Sequence, residues 1–193
     1  MNRLDRRKRE IRERILAAAF ELFLQQGVAA TTIEDICERA DVANRTFFNH
    51  FPTRQDMMRS LSERRLINLH DVVFARAGEP VPDRLIGVFE DIGNALAKSG
   101  DTYRELIGEM LATSDYGVQR GAVFHDTFVE LVKEGVARGE VSARHDAATL
   151  ADIIVSALST GILNWTVDST YSLQTNLHQL AVALADLLRT GAT

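Results

Sequence analysis

Cysteine occurs once, at Cys37, so the chain can form no internal disulfide. That fits a reducing, cytoplasmic location. Proline occurs three times, at Pro52, Pro80 and Pro82. There is no Asn-Gly or Asp-Gly step, and no period-two alternation lasts a strand's length, which argues against β-hairpins. No apolar run reaches the ~18 residues that a membrane helix needs. Basic residues precede "ILAAAFELFL", as in a signal peptide, but Glu21 interrupts the run and no small-residue cleavage site follows. Also missing are a glycine-rich phosphate loop, a cysteine-rich zinc spacing and a serine nucleophile elbow. What remains is 193 residues with 46% apolar and 25% charged content, ordinary values for a globular protein. A chain this long buries roughly 70% of its unfolded surface without staples.

The pattern reads as all-α, with about nine helices. The first spans about 7–26 and ends at Gly27, with Ile11, Ile15, Ala18 and Leu22 on one stripe. "TTIE" predicts a capping box, with Thr31 as N-cap and Glu34 three residues on, for a second helix ending near Ala40. After the short turn "DVA" a third helix covers about 44–50, and Pro52 breaks the chain. Further helices are expected at about 55–77, 83–98, 101–113, 118–138, 146–167 and 172–188. "GEPVP" at 78–82 is the clearest boundary.

Net charge is −5 but uneven. Residues 1–60 hold eleven Lys/Arg and nine Asp/Glu, a balance of +2; the remainder holds eleven and eighteen, a balance of −7. Arg3, Arg6, Arg7, Lys8 and Arg9 crowd the start against Asp5. A basic arm on an acidic body points to a polyanion, or else to a solvated tail.

The segment "ICERADVANRTFFNHFPTRQDM" carries the strongest functional signal. Two helices joined by a three-residue turn form a helix-turn-helix pattern. In its second helix Ala43, Phe47 and Phe51 make an inward stripe at i, i+4, i+8. Asn44, Arg45, Phe48 and Asn49 point outward together, with His50 at the edge. Such a face suits the DNA major groove. Arginine donates bidentately to guanine, asparagine pairs with adenine, and Phe48 offers an apolar edge to a thymine methyl.

"TTIEDICERADVANRTFFNHFPTRQDM" resembles the DNA-binding domain of the TetR/AcrR family of transcriptional repressors. Thr31, Thr32, Ile33, Ile36, Ala40, Val42, Thr46, Phe51, Pro52 and Arg54 sit where that pattern asks, over about residues 10–60. The chain departs from it at Ala43, where Ser is frequent, at Phe48, where Tyr is common, and at Arg45, where Gly is common. The resemblance implies that Asn44, Arg45, Thr46, Phe48, Asn49 and His50 face the operator. It also implies that Thr31 or Thr32 and Arg54 hold phosphates at helix starts. It implies a DNA-binding domain over 1–54 and an effector-binding, dimerising domain over 55–193.

In the last helix Leu173, Leu177, Leu180, Leu184 and Leu187 step as a heptad seam. Leu150, Ile154, Ala157 and Gly161 keep that rhythm one helix earlier. The expected solution is a two-fold dimer closed by a four-helix bundle; the alternative is a core within one chain. Half-sites one turn apart, ~34 Å, also need two reading heads. The expected partners are therefore double-stranded operator DNA, a second copy and an apolar or aromatic effector, with no membrane. Candidate lining residues are Phe74, Phe89, Tyr103, Met110, Phe124, Phe128 and Trp165, and the bland expectation for each is ordinary core. No cofactor or metal is implied.

Two rival classes stand beside this one. His70-Asp71, His125-Asp126 and His145-Asp146 allow a metal-dependent HD-type phosphohydrolase, although neighbouring helix residues diverge by about 100° and must converge with ligands from elsewhere. A helical adaptor without a DNA role is the other.

Overall fold

The computed structural model describes residues 2–98, 100–113 and 123–189, with side chains described except at 63–68, 113, 123 and 124. Nine α-helices occur among the described residues: α1 (Arg3–Gln26), α2 (Ile33–Ala40), α3 (Asn44–His50), α4 (Arg54–Phe74), α5 (Val81–Ala97), α6 (Asp101–Thr113), α7 (Val123–Ala137), α8 (Ala147–Val167) and α9 (Leu173–Leu188). They form two compact units, 1–64 with 100–114, and 65–99 with 115–193. The boundary expected at residue 54 therefore falls inside the first unit, and α6 belongs to that unit too.

The first unit is built on one apolar cluster. Ile15, Ala19, Leu22 and Phe23 of α1 meet Ile36 and Ala40 of α2, Phe47 and Phe51 of the α3 segment, and Met57 and Leu61 of α4. Leu106 and Met110 of α6 complete it, and Tyr103 stands edge-on to Phe20 with ring centroids 6.4 Å apart. The start of α2 differs from expectation by one residue. Thr32, not Thr31, is the N-cap: its hydroxyl accepts from the Asp35 N–H (3.1 Å), and the Asp35 carboxylate accepts from the Thr32 N–H (2.8 Å). Thr31 is buried, and its hydroxyl donates to the Gly27 carbonyl at 2.7 Å. Either threonine has an acid three residues on, so the sequence cannot choose between the two caps; burial of Thr31 decides.

The α2–α3 turn hinges on Asp41, the one non-glycine residue with positive φ among those described (φ 52°). Its carbonyl accepts from Arg14 Nη2 at 2.9 Å, a bond that any residue can make. Left-handed backbone disfavours a Cβ, although aspartate tolerates it better than most. Asp41→Gly is expected to stabilise the chain by about 0.5–1 kcal/mol, read as a raised melting temperature. A lower melting temperature would show that the aspartate side chain supports the turn.

The second unit packs α5 against α9, and α7 against α8. Helix α5 starts two residues earlier than expected, at Val81, so Pro82 lies in its first turn, where no intrahelical N–H bond is lost. Pro80 offers no side-chain cap; instead the Glu140 carboxylate accepts from the Val81 N–H at 2.8 Å. Arg84 is 0% exposed. Its guanidinium donates to both oxygens of Glu134 and stacks over the Phe74 ring at 5.3 Å. Glu134 also pairs with Arg138 at 2.6 Å. Hydrogen bonding from Arg84 comes first among the causes that hold the Glu134 carboxyl below its ordinary range.

Helix α8 is the described helix that comes nearest to a membrane span, although Asp152 and several hydroxyl residues interrupt its apolar character. It is 21 residues long with an 18-residue window of mean hydropathy 1.4, apolar enough by length and composition to cross a membrane. Leu150, Ala151, Ile154, Leu158 and Trp165 are instead buried within the unit. The helix begins where expected: Asp146 is its N-cap and accepts from the Thr149 N–H at 3.1 Å. The expected start of α7 at 118 lies outside the described residues.

Candidate nucleic-acid interface

Helix α3 is two turns long and has two faces. Phe47 and Phe51 are 0% exposed, with ring centroids 5.8 Å apart. Phe48 meets Phe47 edge-on at 5.4 Å but stays 47% exposed. Asn44, Arg45 and Asn49 are exposed beside it, and Thr46 and His50 are half-buried. Seven residues of helix and the Phe51 cap that follows thus hold two aromatic rings in the core and present an arginine, two asparagines and a phenylalanine outward. Ala43 departs from the expected inward stripe: it is exposed, and as N-cap it makes no side-chain bond.

Arg12, which the sequence does not single out, fixes the far end of α3. It donates to the His50 carbonyl at 3.0 Å and to the Ser60 hydroxyl, and lies 4.3 Å over the Phe51 ring. The available signal is its place beside Ile11 at the edge of the α1 stripe. His50 is held below its ordinary pKa, first by burial and then by the positive charges of Arg12 and Lys8, which favours the neutral ring. Burial pushes the Cys37 thiol up, with Glu34 adding to the effect.

Two expected phosphate contacts are occupied within the protein. Thr31 is buried and bonded, as described above. Arg54 donates to the carbonyls of Thr31 and Val28, both at 2.6 Å, and lies 5.3 Å from the Phe23 ring. It clamps the start of α4 to the α1–α2 connection. Two of its five N–H donors are thus used inside the chain. Thr32 is exposed, but its hydroxyl serves the capping box.

These features meet in one family. A family model for bacterial regulatory proteins of the tetR family matches residues 15–61. The repressor BepR of Brucella suis is 27% identical over 176 residues, covering 85% of this chain and 84% of its own. The regulator TcmR of Streptomyces glaucescens is 42% identical over 53 residues, 28% of this chain and 24% of its own. The chain carries the N-terminal domain of the tetR family of bacterial regulatory proteins. The crystal structure of Thermus thermophilus FadR, a TetR-family repressor in complex with lauroyl-CoA, has the same fold. It superposes with a TM-score of 0.75 at 22% identity, covering 94% of this chain and 98% of that one. The relatives are regulators and indicate no catalytic function.

The residues expected to line an effector pocket are distributed over both units. Tyr103 and Met110 lie in the first unit's core, where α6 meets α1. Phe89, Phe128 and Trp165 are buried in the second unit, and Phe74 there is half-buried under the Arg84 guanidinium. The Phe124 side chain lies outside the described residues.

Several residues of the expected dimer seam are buried within the chain itself. Leu150, Ile154, Leu177 and Leu184 are buried in its own core, and Gly161 admits Leu177 so closely that an added Cβ would meet it at 2.7 Å. The heptad rhythm records α8 packing on α9 within one unit. The outer surface of that pair holds a groove of about 700 Å³, lined by Ile153, Ala157, Thr160, Gly161, Asn164, Tyr171 and Leu180 among others. Ile153, Leu163 and Val167 of α8 and Leu187 of α9 are exposed.

The His-Asp pairs form no metal centre. No group of three or more His, Cys, Asp or Glu among the described residues could hold a metal ion. Asp146 caps α8, and His125 faces Asp126 at 3.4 Å and Asp152 at 3.1 Å.

Proposed function

We propose that the chain is a TetR-family regulator that works in the cytoplasm as a ligand-responsive repressor, binding a palindromic operator as a homodimer. The observation that carries the proposal is the outward face of α3. Asn44, Arg45, Phe48 and Asn49 are exposed side by side over a buried Phe47–Phe51 base, a residue set matched to major-groove base edges. Thr46 and His50 border the face and contribute backbone contacts or water-mediated ones. The 1–54 segment carries the reading head, and 55–193 holds the effector and the second protomer.

The α8–α9 groove with Ile153, Ala157 and Leu180 is the dimer surface. Pairing two such helix pairs makes a four-helix bundle and covers side chains that one chain leaves wet. The effector is a small molecule with a large apolar or aromatic part, as the lauroyl-CoA bound by FadR supports. Helix α4 transmits its binding. It is one unbroken helix from Arg54 to Phe74, and Arg54 ties its first turn to the reading head. An effector that favours one tilt of α4 shifts the head by its differential affinity for the two states.

Footprinting on the promoter beside the protein's own gene, with and without candidate small molecules, tests both halves. With about 6–10 phosphates neutralised per dimer, log K should fall against log salt with a slope near −5 to −9. Binding without salt dependence, or operator and effector affinities that prove independent, would end the proposal.

A further inference from the structure

Residues 3–10 form the first two turns of α1, and every one is exposed. Packing on the core begins only at Ile11. At 1.5 Å per residue the helix runs about 12 Å past the packed body. This stretch holds Arg3, Arg6, Arg7, Lys8 and Arg9 against Asp5 and Glu10. Arg6 pairs with Glu10 at 3.4 Å, a pair that sits wholly on the surface. Arg3, Arg7, Lys8 and Arg9 make no ion pair among the described residues.

The local electrostatics oppose this arrangement. Arg3 and Arg7 are like charges at i, i+4, which destabilises a helix by a few tenths of a kcal/mol. Cations at a helix start also face the positive end of the macrodipole. Asp5 in the first turn and the Arg6–Glu10 pair offset only part of this, and the stretch keeps an excess of positive charge that an anion from outside would balance.

Position identifies the anion. Arg12 is one turn after Lys8, and it holds the His50 carbonyl at the end of α3 while lying over Phe51. The Lys8 charge is felt at His50. The projecting turns therefore leave the body beside the end of the helix that presents Asn44, Arg45, Phe48 and Asn49. The positive surface continues the reading face.

We propose that the first two turns of α1 form a second DNA-contacting element, in which Arg3, Arg7, Lys8 and Arg9 bind backbone phosphates flanking the bases that α3 reads. This rests on the DNA-binding reading and extends it. Phosphate contacts add affinity and orientation but carry no direct sequence information.

The test uses the full chain with Arg3, Arg7, Lys8 and Arg9 all changed to glutamine. Binding is measured from 50 to 200 mM KCl on a duplex that the wild-type chain selects from a random library, and on an unrelated duplex of equal length. The variant should bind both duplexes at least tenfold more weakly at 100 mM. Its slope of log K against log salt should be shallower by about 0.9 for each phosphate no longer neutralised. Its melting temperature should equal or exceed that of the wild type, because unpaired like charges are removed; a lower one would make the arm a structural element. Unchanged affinity and slope would overturn the inference while leaving α3 as the reader. Loss on the selected duplex alone would make the arm a base reader and overturn the phosphate assignment. A wild-type chain that enriches no duplex would overturn the DNA-binding reading, and this inference with it.

Discussion

Replacing Glu134 by alanine is expected to destabilise the second unit by about 3–5 kcal/mol. Arg84 is fully buried, and the Glu134 carboxylate is its anionic partner. Among the described residues, removing the carboxylate leaves a guanidinium in the interior with the face of Phe74 to meet it. The cost comes from the stranded charge, so it should vanish when the charge goes too. Arg84→Met combined with Glu134→Leu should recover most of the loss, since well-packed apolar replacements of buried pairs are often neutral or better. Trp165, the chain's single tryptophan, is buried in the same unit and reports its unfolding by fluorescence in urea. If the single variant unfolds at the wild-type midpoint, the pair has no part in stability. The pH dependence has a definite sign. The folded Glu134 carboxyl titrates below its unfolded value because Arg84 and then Arg138 favour the ionised form. Its contribution is therefore complete above the unfolded carboxyl pKa and disappears as pH falls through the lower, folded value. The Glu134→Ala variant should lack this share of the acid sensitivity.

Arg45→Ala should weaken binding to the selected operator by about 1–3 kcal/mol per half-site and relax preference at one base pair in each. Arg45 is exposed and makes no ion pair among the described residues, so its removal should leave the melting temperature unchanged. The informative comparison is with an unrelated duplex, whose affinity should fall much less. Equal weakening on every sequence would make Arg45 a phosphate ligand instead. Arg45 and the α1 arm thus give opposite signatures: one relaxes specificity, the other lowers affinity uniformly.

The helix-turn-helix was legible because its information is local. A seven-residue helix with Phe47 in its middle and Phe51 at its C-cap has only one way to turn both rings inward, and that turn fixes where Asn44, Arg45 and Phe48 point. Ala43 escaped this logic because, as the extended N-cap, it precedes the helix and has only a methyl group to bury. Arg54 and Thr31 were legible as positions, but their hydrogen-bond partners inside the chain were not. Whether a guanidinium meets a phosphate or two carbonyls depends on where residues more than twenty positions away place their oxygens. The heptad in α9 was legible as a seam, but a seam does not name its partner.

Residue order alone determined the all-helical class, the caps at Gly27 and Asp146, and the two-faced α3, since periodicity and capping act within a turn or two of chain. Only the tertiary structure decided that α6 joins the first unit, that Arg54 is a clamp, and that Leu177 closes on Gly161 of its own chain. Those outcomes depend on which distant surfaces exclude water together, and apolar attraction carries no address in the sequence.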